Sequence, residues 1–154
     1  MSLSLSEMSK YLDDVRIPLR LACNTKTDWP TVVSLWYLHQ DDLLYCATQK
    51  SAKVVNYLQR DSRCAFEIAE DRPPYCGIRG QAVARIDEKR GAEILERLLI
   101  RYLGDTQNKL AINLLARSKS EIAIVLEPVQ IYTWDFSNRM ADIKLEYITD
   151  KTCP

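Results

Sequence analysis

The hydrophobic period of the chain changes from helical to alternating at Ile17, and strands dominate the sequence from there on. Every second residue over Ile17–Cys23 is apolar, which predicts a strand with one buried face. Thr31–His39 is rich in β-branched and aromatic residues and predicts a second strand, and Leu43–Thr48 predicts a third. The short turn Gln40–Asp42 separates the last two strands, so we expect an antiparallel meander.

Helices flank these strands. Ser6–Arg16 has apolar residues at helical spacing, with Ser6 as a candidate N-cap. The remaining predicted elements are helices over Ser51–Arg60, Glu88–Leu103 and Thr106–Ala116, and strands over Arg63–Ala69, Cys76–Ile86 and Ser120–Asp135, the last being one or two strands around Pro128. The strands cluster in hairpins, and one short helix follows the third strand. We therefore predict a single α+β domain over residues 1–154: a six- to seven-stranded antiparallel sheet closed into a barrel, with flanking helices.

Charge and hydropathy exclude several classes of protein. The chain has 21 Lys and Arg residues against 21 Asp and Glu residues, so its formal net charge is zero. Nonspecific nucleic-acid binding needs a basic face, which this balance does not favour. The sequence contains no apolar run long enough to span a bilayer, and its first residues do not resemble a signal peptide. We expect a cytoplasmic protein that binds neither nucleic acid nor membrane.

The cysteines support the same compartment. The chain has five of them, Cys23, Cys46, Cys64, Cys76 and Cys153, and no pair has the CxxC spacing. Most lie in or beside apolar strand segments, where free cysteine behaves as a small hydrophobic residue. We predict free thiols in a reducing environment and no disulfide framework. A single histidine and the absence of ligand spacing argue against a metal site.

One stretch concentrates groups that bind anions. Tyr45–Lys53 runs from the end of a predicted strand into the start of a predicted helix. Thr48 and Ser51 offer hydroxyl groups there, and Lys50 and Lys53 offer ammonium groups. A helix N-terminus adds free backbone N–H groups, so the stretch is a candidate phosphate site. The alternative is that Ser51 only caps the helix and that both lysines are solvated.

Three further residues extend this candidate site. Arg20 alternates with the apolar residues of the first strand, so it belongs on the outer face, where it could reach a phosphate held near the third strand. Leu35 and Trp36 lie in the second strand, whose backbone could contact the edge of a flat heterocycle. The alternatives are an exposed arginine without a partner and a tryptophan that belongs to the core, which is the commoner case for an aromatic residue in a strand.

Several short motifs occur together in a characteristic order. They are Arg20-Leu-Ala22, Val32–Tyr37, Leu44–Thr48, Ser51-Ala-Lys53 with Asn56 and Leu58, Asp61-Ser-Arg63, Pro73–Gly77 with Gly80, and Trp134-Asp-Phe136. Through them the chain, from about Met8 to Phe136, resembles the pyridoxamine 5′-phosphate oxidase-like superfamily of FMN-binding split barrels. The resemblance implies a homodimer with two cofactors in grooves at the dimer interface.

The resemblance also assigns roles to residues. It implies that the cofactor phosphate meets Thr48, Ser51 and Lys53 with help from Arg20, that the isoalloxazine lies against Leu35 and Trp36, and that Trp134 reaches the cofactor. The oxidases have Ser-Arg-Lys where this chain has Ser51-Ala-Lys53, so Lys50 is a candidate substitute for the missing arginine. The arginine-bearing substrate segment of the oxidases is not recognisable after Phe136, which argues against phosphovitamin oxidation.

The function expected from this resemblance is an FMN-dependent oxidoreductase that acts on a small molecule. Three alternatives stay open: a reductase that uses the deazaflavin F420, a flavin-binding or redox-sensing module without turnover, and a haem-handling split barrel with His39 as its histidine ligand. No residue stands out from the sequence as catalytic.

Overall fold

An antiparallel seven-stranded sheet organises residues 3–141, which are the residues that this computed structural model describes. Its strands are β1 (Leu19–Asn24), β2 (Pro30–Leu35), β3 (Leu38–Gln40), β4 (Leu43–Gln49), β5 (Arg63–Ala69), β6 (Cys76–Asp87) and β7 (Glu121–Asp135). They are hydrogen-bonded in the order β2–β1–β5–β6–β7–β4–β3. β7 is one strand, and the ladder between β6 and β7 shifts register between Gln81 and Ala82, opposite Pro128.

The two edges of this sheet are consecutive in the chain. Only Trp36 and Tyr37 separate β2 from β3, so the sheet must curl until its edges approach each other, although no ladder joins β2 to β3. The predicted α+β split barrel is confirmed, but the expected closure of the sheet is not, because its two edges are not joined by hydrogen bonds. The prediction of one strand over Thr31–His39 is wrong, because the strand breaks where Trp36 stacks on Tyr102 and Tyr37 turns inward to donate its hydroxyl to the Leu12 carbonyl at 2.9 Å.

The interior of the barrel is built by the predicted alternation. Leu19 and Leu21 of β1 are fully buried, whereas Arg20 between them keeps part of its side chain in solvent. Cys23, Cys46 and Cys64 also point into this core and are free thiols, as is the half-buried Cys76. Burial raises the pKa of the Cys46 thiol to about 12, so the thiolate is disfavoured. Cys153 lies outside the described residues.

Four helices accompany the sheet: α1 (Leu5–Asp14), α2 (Lys53–Arg60), α3 (Gly91–Leu103) and α4 (Lys109–Leu115). None of the helices between residues 3 and 141 is long and apolar enough to cross a bilayer. Ser4, and not Ser6 as predicted, caps α1: its hydroxyl accepts from the Glu7 backbone N–H, and the Glu7 carboxylate accepts from the Ser4 backbone N–H at 2.8 Å. The helix therefore begins at Leu5, one residue before the predicted start at Ser6.

α3 covers the outer face of β4 and β7. Ile94 and Leu98 pack with Ala123 and Val125 in a second hydrophobic cluster on that face. The start of α3 lies so close to β7 that a Cβ atom on Gly91 would be 2.1 Å from the Glu121 carbonyl oxygen. This close approach fixes α3, and with it α4, beside the ends of β2 and β4.

Candidate functional site

A groove of about 350 Å³ lies where the ends of β2 and β4 meet α3 and α4. Its lining residues are Ser34, Leu35, Trp36, Ala47, Thr48, Gln49, Leu95, Leu98, Leu114, Arg117 and Glu121. The structure thus brings three of the predicted site residues, Leu35, Trp36 and Thr48, to one surface. We call this feature the Trp36 groove.

The Trp36 ring is held rigidly at this surface. It stacks on Tyr102 of α3 with ring centroids 4.9 Å apart and an angle of 7° between the planes. Tyr102 is itself fixed, because its hydroxyl donates to the Ile17 carbonyl at 3.0 Å and accepts from the Tyr37 backbone N–H at 3.3 Å. Trp36 is half-buried and contacts two hydrophobic clusters, so it is both part of the packing and part of the groove wall.

The polar end of the Trp36 groove is formed by β4 and β7. Gln49 and Glu121 are directly opposite each other in the ladder, and the Gln49 amide donates to Glu121 Oε1. The Ser120 hydroxyl in turn donates to Gln49 Oε1 at 2.5 Å. Glu121 is 7% exposed, and burial raises the pKa of its carboxyl group, although the Gln49 bond and the nearby Arg117 charge act in the opposite direction.

Three of the predicted phosphate ligands, Lys50, Ser51 and Lys53, follow this end of the groove along the chain, whereas Thr48 lines the groove itself. The chain turns over Gln49–Ala52, where the Ala52 N–H donates to the Gln49 carbonyl at 2.9 Å, and α2 begins at Lys53. The prediction that the helix starts at Ser51 is wrong: Ala52 is the N-cap and makes no side-chain cap. The first N–H groups of α2 are among those that a helix leaves without intrahelical partners.

The two lysines of this turn differ in their surroundings. Lys50 Nζ is 2.7 Å from Glu88 Oε2, so its charge is already paired at the start of α3. Lys53 is exposed, and within residues 3–141 it makes no ion pair. Of the two, Lys53 is the cation that is available to an anion at α2.

Arg20 and Trp134 lie away from the Trp36 groove. Arg20 NH2 is 2.8 Å from Asp71 Oδ1, and its NH1 is 3.8 Å from Glu67 Oε1, although Arg20 is the direct ladder neighbour of the groove residue Ser34. Trp134 pairs with Gly77 across the ladder of β6 and β7. Within one chain, Arg20 and Trp134 therefore do not line the groove that holds Leu35, Trp36 and Thr48.

Glu121 and Arg117 are groove residues that the sequence analysis did not identify. The sequence does carry a signal for Glu121: it has the same alternation phase as Ala123 and Val125, which face α3. A carboxylate in phase with a buried strand face is uncommon and indicates a polar site. Arg117 belongs to an irregular segment after α4, and its position depends on how α4 folds back.

His39 has a local partner and lies outside the Trp36 groove. Its Nδ1 is 3.1 Å from Asp13 Oδ1, which ties β3 to the end of α1, and its side chain is 11% exposed. Across residues 3–141 no group of three metal-binding side chains comes together.

The outer face of β2, β1, β5 and β6 is a second notable surface. Two adjoining hollows of about 430 and 670 Å³ lie on it and share Ala22, Ala65 and Gln81. Val32 and Val129 line their rims and are 62% and 64% exposed. We call this surface the outer sheet face. It combines small residues with exposed apolar side chains, which is typical of a surface that packs against another protein.

No family model matches the sequence, and no curated protein does. Solved structures match over most of the chain. The conserved hypothetical protein Rv2991 from Mycobacterium tuberculosis aligns with a TM-score of 0.76 and 17% identity, over 98% of this chain and 95% of that one. An F420 reductase aligns with a TM-score of 0.67 and 15% identity, over 79% and 94% of the two chains.

A Listeria innocua protein named after pyridoxamine 5′-phosphate oxidase aligns with a TM-score of 0.65 and 20% identity, over 83% of this chain and 95% of that one. At these identities the similarity establishes a shared fold. The fold is thus the split barrel that the motifs indicated.

Proposed function

We propose that this chain binds FMN in the Trp36 groove and works as a flavin-dependent oxidoreductase on a small molecule. The observation that carries the proposal is the convergence of Leu35, Trp36 and Thr48 on one groove beside the start of α2. The similarity to an F420 reductase and to a protein named after pyridoxamine 5′-phosphate oxidase supports it.

The residues present suit such a cofactor in three ways. The rigid Trp36 ring and the buried Leu95 and Leu98 give the groove a flat, apolar wall for a planar ring system. Gln49 and Glu121 give it a polar end. The free charge of Lys53 and the first turn of α2 lie beyond that end and suit a phosphate.

When bound, the cofactor would supply the hydride chemistry, and the protein would supply binding and orientation. In this proposal Trp36 and Leu35 orient the ring, Ser51 and Lys53 hold the phosphate at the start of α2, and Thr48 contacts the cofactor from the groove wall. Lys50, which is paired with Glu88, is a weaker candidate. Arg20 would join the site only after releasing Asp71, and Trp134 would reach a cofactor held by the partner subunit.

We also propose that the protein is a cytoplasmic homodimer joined through the outer sheet face. Val32 and Val129 are more than half exposed there, next to the small side chains of Ala22 and Ala65. A second copy packed on this face would bury them and bring the partner close to Ser34, the ladder neighbour of Arg20 and a groove residue. The buried free thiols agree with a reducing compartment.

Absorbance of the purified protein, followed by mass analysis of what it releases on denaturation, tests the cofactor. We expect a flavin spectrum and FMN. Release of F420 would favour the deazaflavin alternative, and a Soret band would favour haem. A yellow protein that does not oxidise NADH, NADPH or reduced F420 would favour a binding module without turnover.

A further inference from the structure

Glu121 has unused hydrogen-bonding capacity inside the Trp36 groove. It is 7% exposed and is the one charged residue among the buried positions of residues 3–141. Its Oε1 accepts a bond from Gln49, but its Oε2 accepts none from the described residues. Among the described residues, Arg101 Nε is the one side-chain polar atom that is both closed off from solvent and without a hydrogen bond, so Glu121 Oε2 is open to the groove. A carboxylate can accept several hydrogen bonds, and this oxygen can accept one from a ligand that fills the groove.

The surrounding network holds this carboxylate in place. The Ser120 hydroxyl donates to Gln49 Oε1 and so orients the amide with its NH₂ group toward Glu121. Arg117 lines the same end of the groove and is close enough to lower the pKa of Glu121 by its charge, yet it forms no ion pair with it. Glu121 is thus a positioned acceptor with one face open to the groove.

Its place along the groove indicates which part of a ligand it meets. Glu121 is opposite Gln49, which lies between Thr48 and the turn that leads to Lys53. Leu35 and Trp36 form another part of the lining, from the end of β2. Glu121 thus lies on the groove side of the turn that carries Ser51 and Lys53, where it faces the linker between a ring held by Leu35 and Trp36 and a phosphate held at the start of α2.

We propose that Glu121, oriented by Gln49, binds the hydroxyl groups of the polyol chain that links the ring of the cofactor to its phosphate. This inference rests on the proposed function and names a contact within the same site. Glu121 would act as a binding residue that selects ligands with a hydroxylated linker.

Three probes separate the parts of such a ligand: lumiflavin has the ring, riboflavin adds the ribityl chain, and FMN adds the phosphate. Titrating all three against wild type, Glu121→Ala, Glu121→Gln and Lys53→Ala gives two ratios for each protein. Because each ratio compares two ligands on the same variant, a partly unfolded fraction cancels. Glu127→Ala, an exposed change in the same strand, is the matched control.

We expect Glu121→Ala to reduce the preference for riboflavin over lumiflavin by about ten- to a hundredfold, since hydrogen bonds to charged groups have that effect on affinity. Glu121→Gln should retain part of this preference because it keeps an acceptor. The preference for FMN over riboflavin should not fall in either variant, because neither change removes a phosphate ligand, and it should fall in Lys53→Ala.

An unchanged preference for riboflavin over lumiflavin in Glu121→Ala, with FMN still bound tightly by wild type, would overturn this inference alone. If wild type binds none of the three probes, the FMN proposal and this inference both fall. If Lys53→Ala keeps the wild-type preference for FMN over riboflavin, while Glu121→Ala loses its preference for riboflavin over lumiflavin, the phosphate does not bind at Lys53 and the role of Glu121 stands.

Discussion

Lys53 is the cation on which phosphate binding depends in this account. It is exposed at the first position of α2, and a lysine there is unfavourable next to the positive end of the helix dipole unless an anion is bound. We expect Lys53→Ala to weaken FMN binding by about ten- to a hundredfold, the effect of one charge-assisted hydrogen bond. Equilibrium titration with FMN measures this, with thermal melts as the folding control.

Lys50→Ala is the matched comparison for that titration. The Lys50 charge is paired with Glu88 across 2.7 Å, so its removal should weaken FMN binding less than the removal of Lys53. Equal losses in the two variants would mean that Lys50 leaves Glu88 and replaces the arginine that the oxidases have at the position of Ala52. No loss in Lys53→Ala would refute the phosphate site at α2.

The carboxyl group of Glu121 makes stability depend on pH. Burial raises its pKa above the ordinary value of 4.5, so the folded state holds the Glu121 proton more tightly than the unfolded state does. This contribution to stability is complete below the ordinary pKa and is lost as the pH rises through the folded pKa. Glu121→Gln removes the titration and keeps the acceptor for Gln49.

We therefore expect Glu121→Gln to raise the melting temperature relative to wild type more at about pH 7 than at about pH 4. Melting curves without ligand across this range measure the difference, with Glu127→Gln as a surface control. If the difference in melting temperature between Glu121→Gln and wild type stays constant with pH, or shrinks toward neutral pH, burial does not raise the pKa of Glu121.

At the scale of elements, the contact between α3 and β7 determines the shape of the Trp36 groove. Gly91 has no room for a side chain, because an added Cβ atom would lie 2.1 Å from the Glu121 carbonyl oxygen and 2.4 Å from the Ile122 nitrogen. Gly91→Ala should destabilise the protein by about 1–3 kcal/mol through overpacking, despite the better helix propensity of alanine. It should also weaken FMN binding, because Glu121 must shift.

Chemical denaturation of Gly91→Ala measures this cost, and the exposed neighbour Ala92 provides the control. Ala92→Ser should change stability by no more than about 0.5 kcal/mol. A Gly91→Ala variant as stable as wild type would show that α3 can move away from β7 without loss.

Local patterns in the sequence predict most elements, and tertiary contacts explain the exceptions. β5 has the predicted bounds Arg63–Ala69, since its alternation is uninterrupted. The strand predicted over Thr31–His39 breaks at Trp36, because stacking on Tyr102 of a distant helix outweighs local β propensity. Leu35, Trp36 and Thr48 converge because the sheet curls and brings the end of β2 beside β4, which no local pattern encodes.

At the scale of the whole molecule, the proposed homodimer depends on the outer sheet face. Val32 and Val129 are more than 60% exposed on this face, and a dimer would bury them. We expect wild type to sediment as a dimer at micromolar concentration and the double variant Val32→Glu/Val129→Glu to sediment as a monomer. A buried unpaired charge on each side of the interface is the physical reason.

Ile112→Glu is the control for the assembly, since Ile112 is 53% exposed on α4, away from the outer sheet face. It should leave the dimer intact. A wild-type protein that sediments as a monomer while flavin is bound would refute the proposed dimer. A dimer that is broken by Ile112→Glu, but not by Val32→Glu/Val129→Glu, would mean that the interface involves the helices instead.

A crystal structure of the protein with FMN would show where the flavin binds. We expect ring density along the Trp36 groove against Leu98, the ribityl chain next to Glu121, and the phosphate within hydrogen-bonding distance of Lys53 at the start of α2. Flavin density on the outer sheet face, beside Arg79 and Tyr132 of its smaller hollow, with the Trp36 groove empty, would refute this placement.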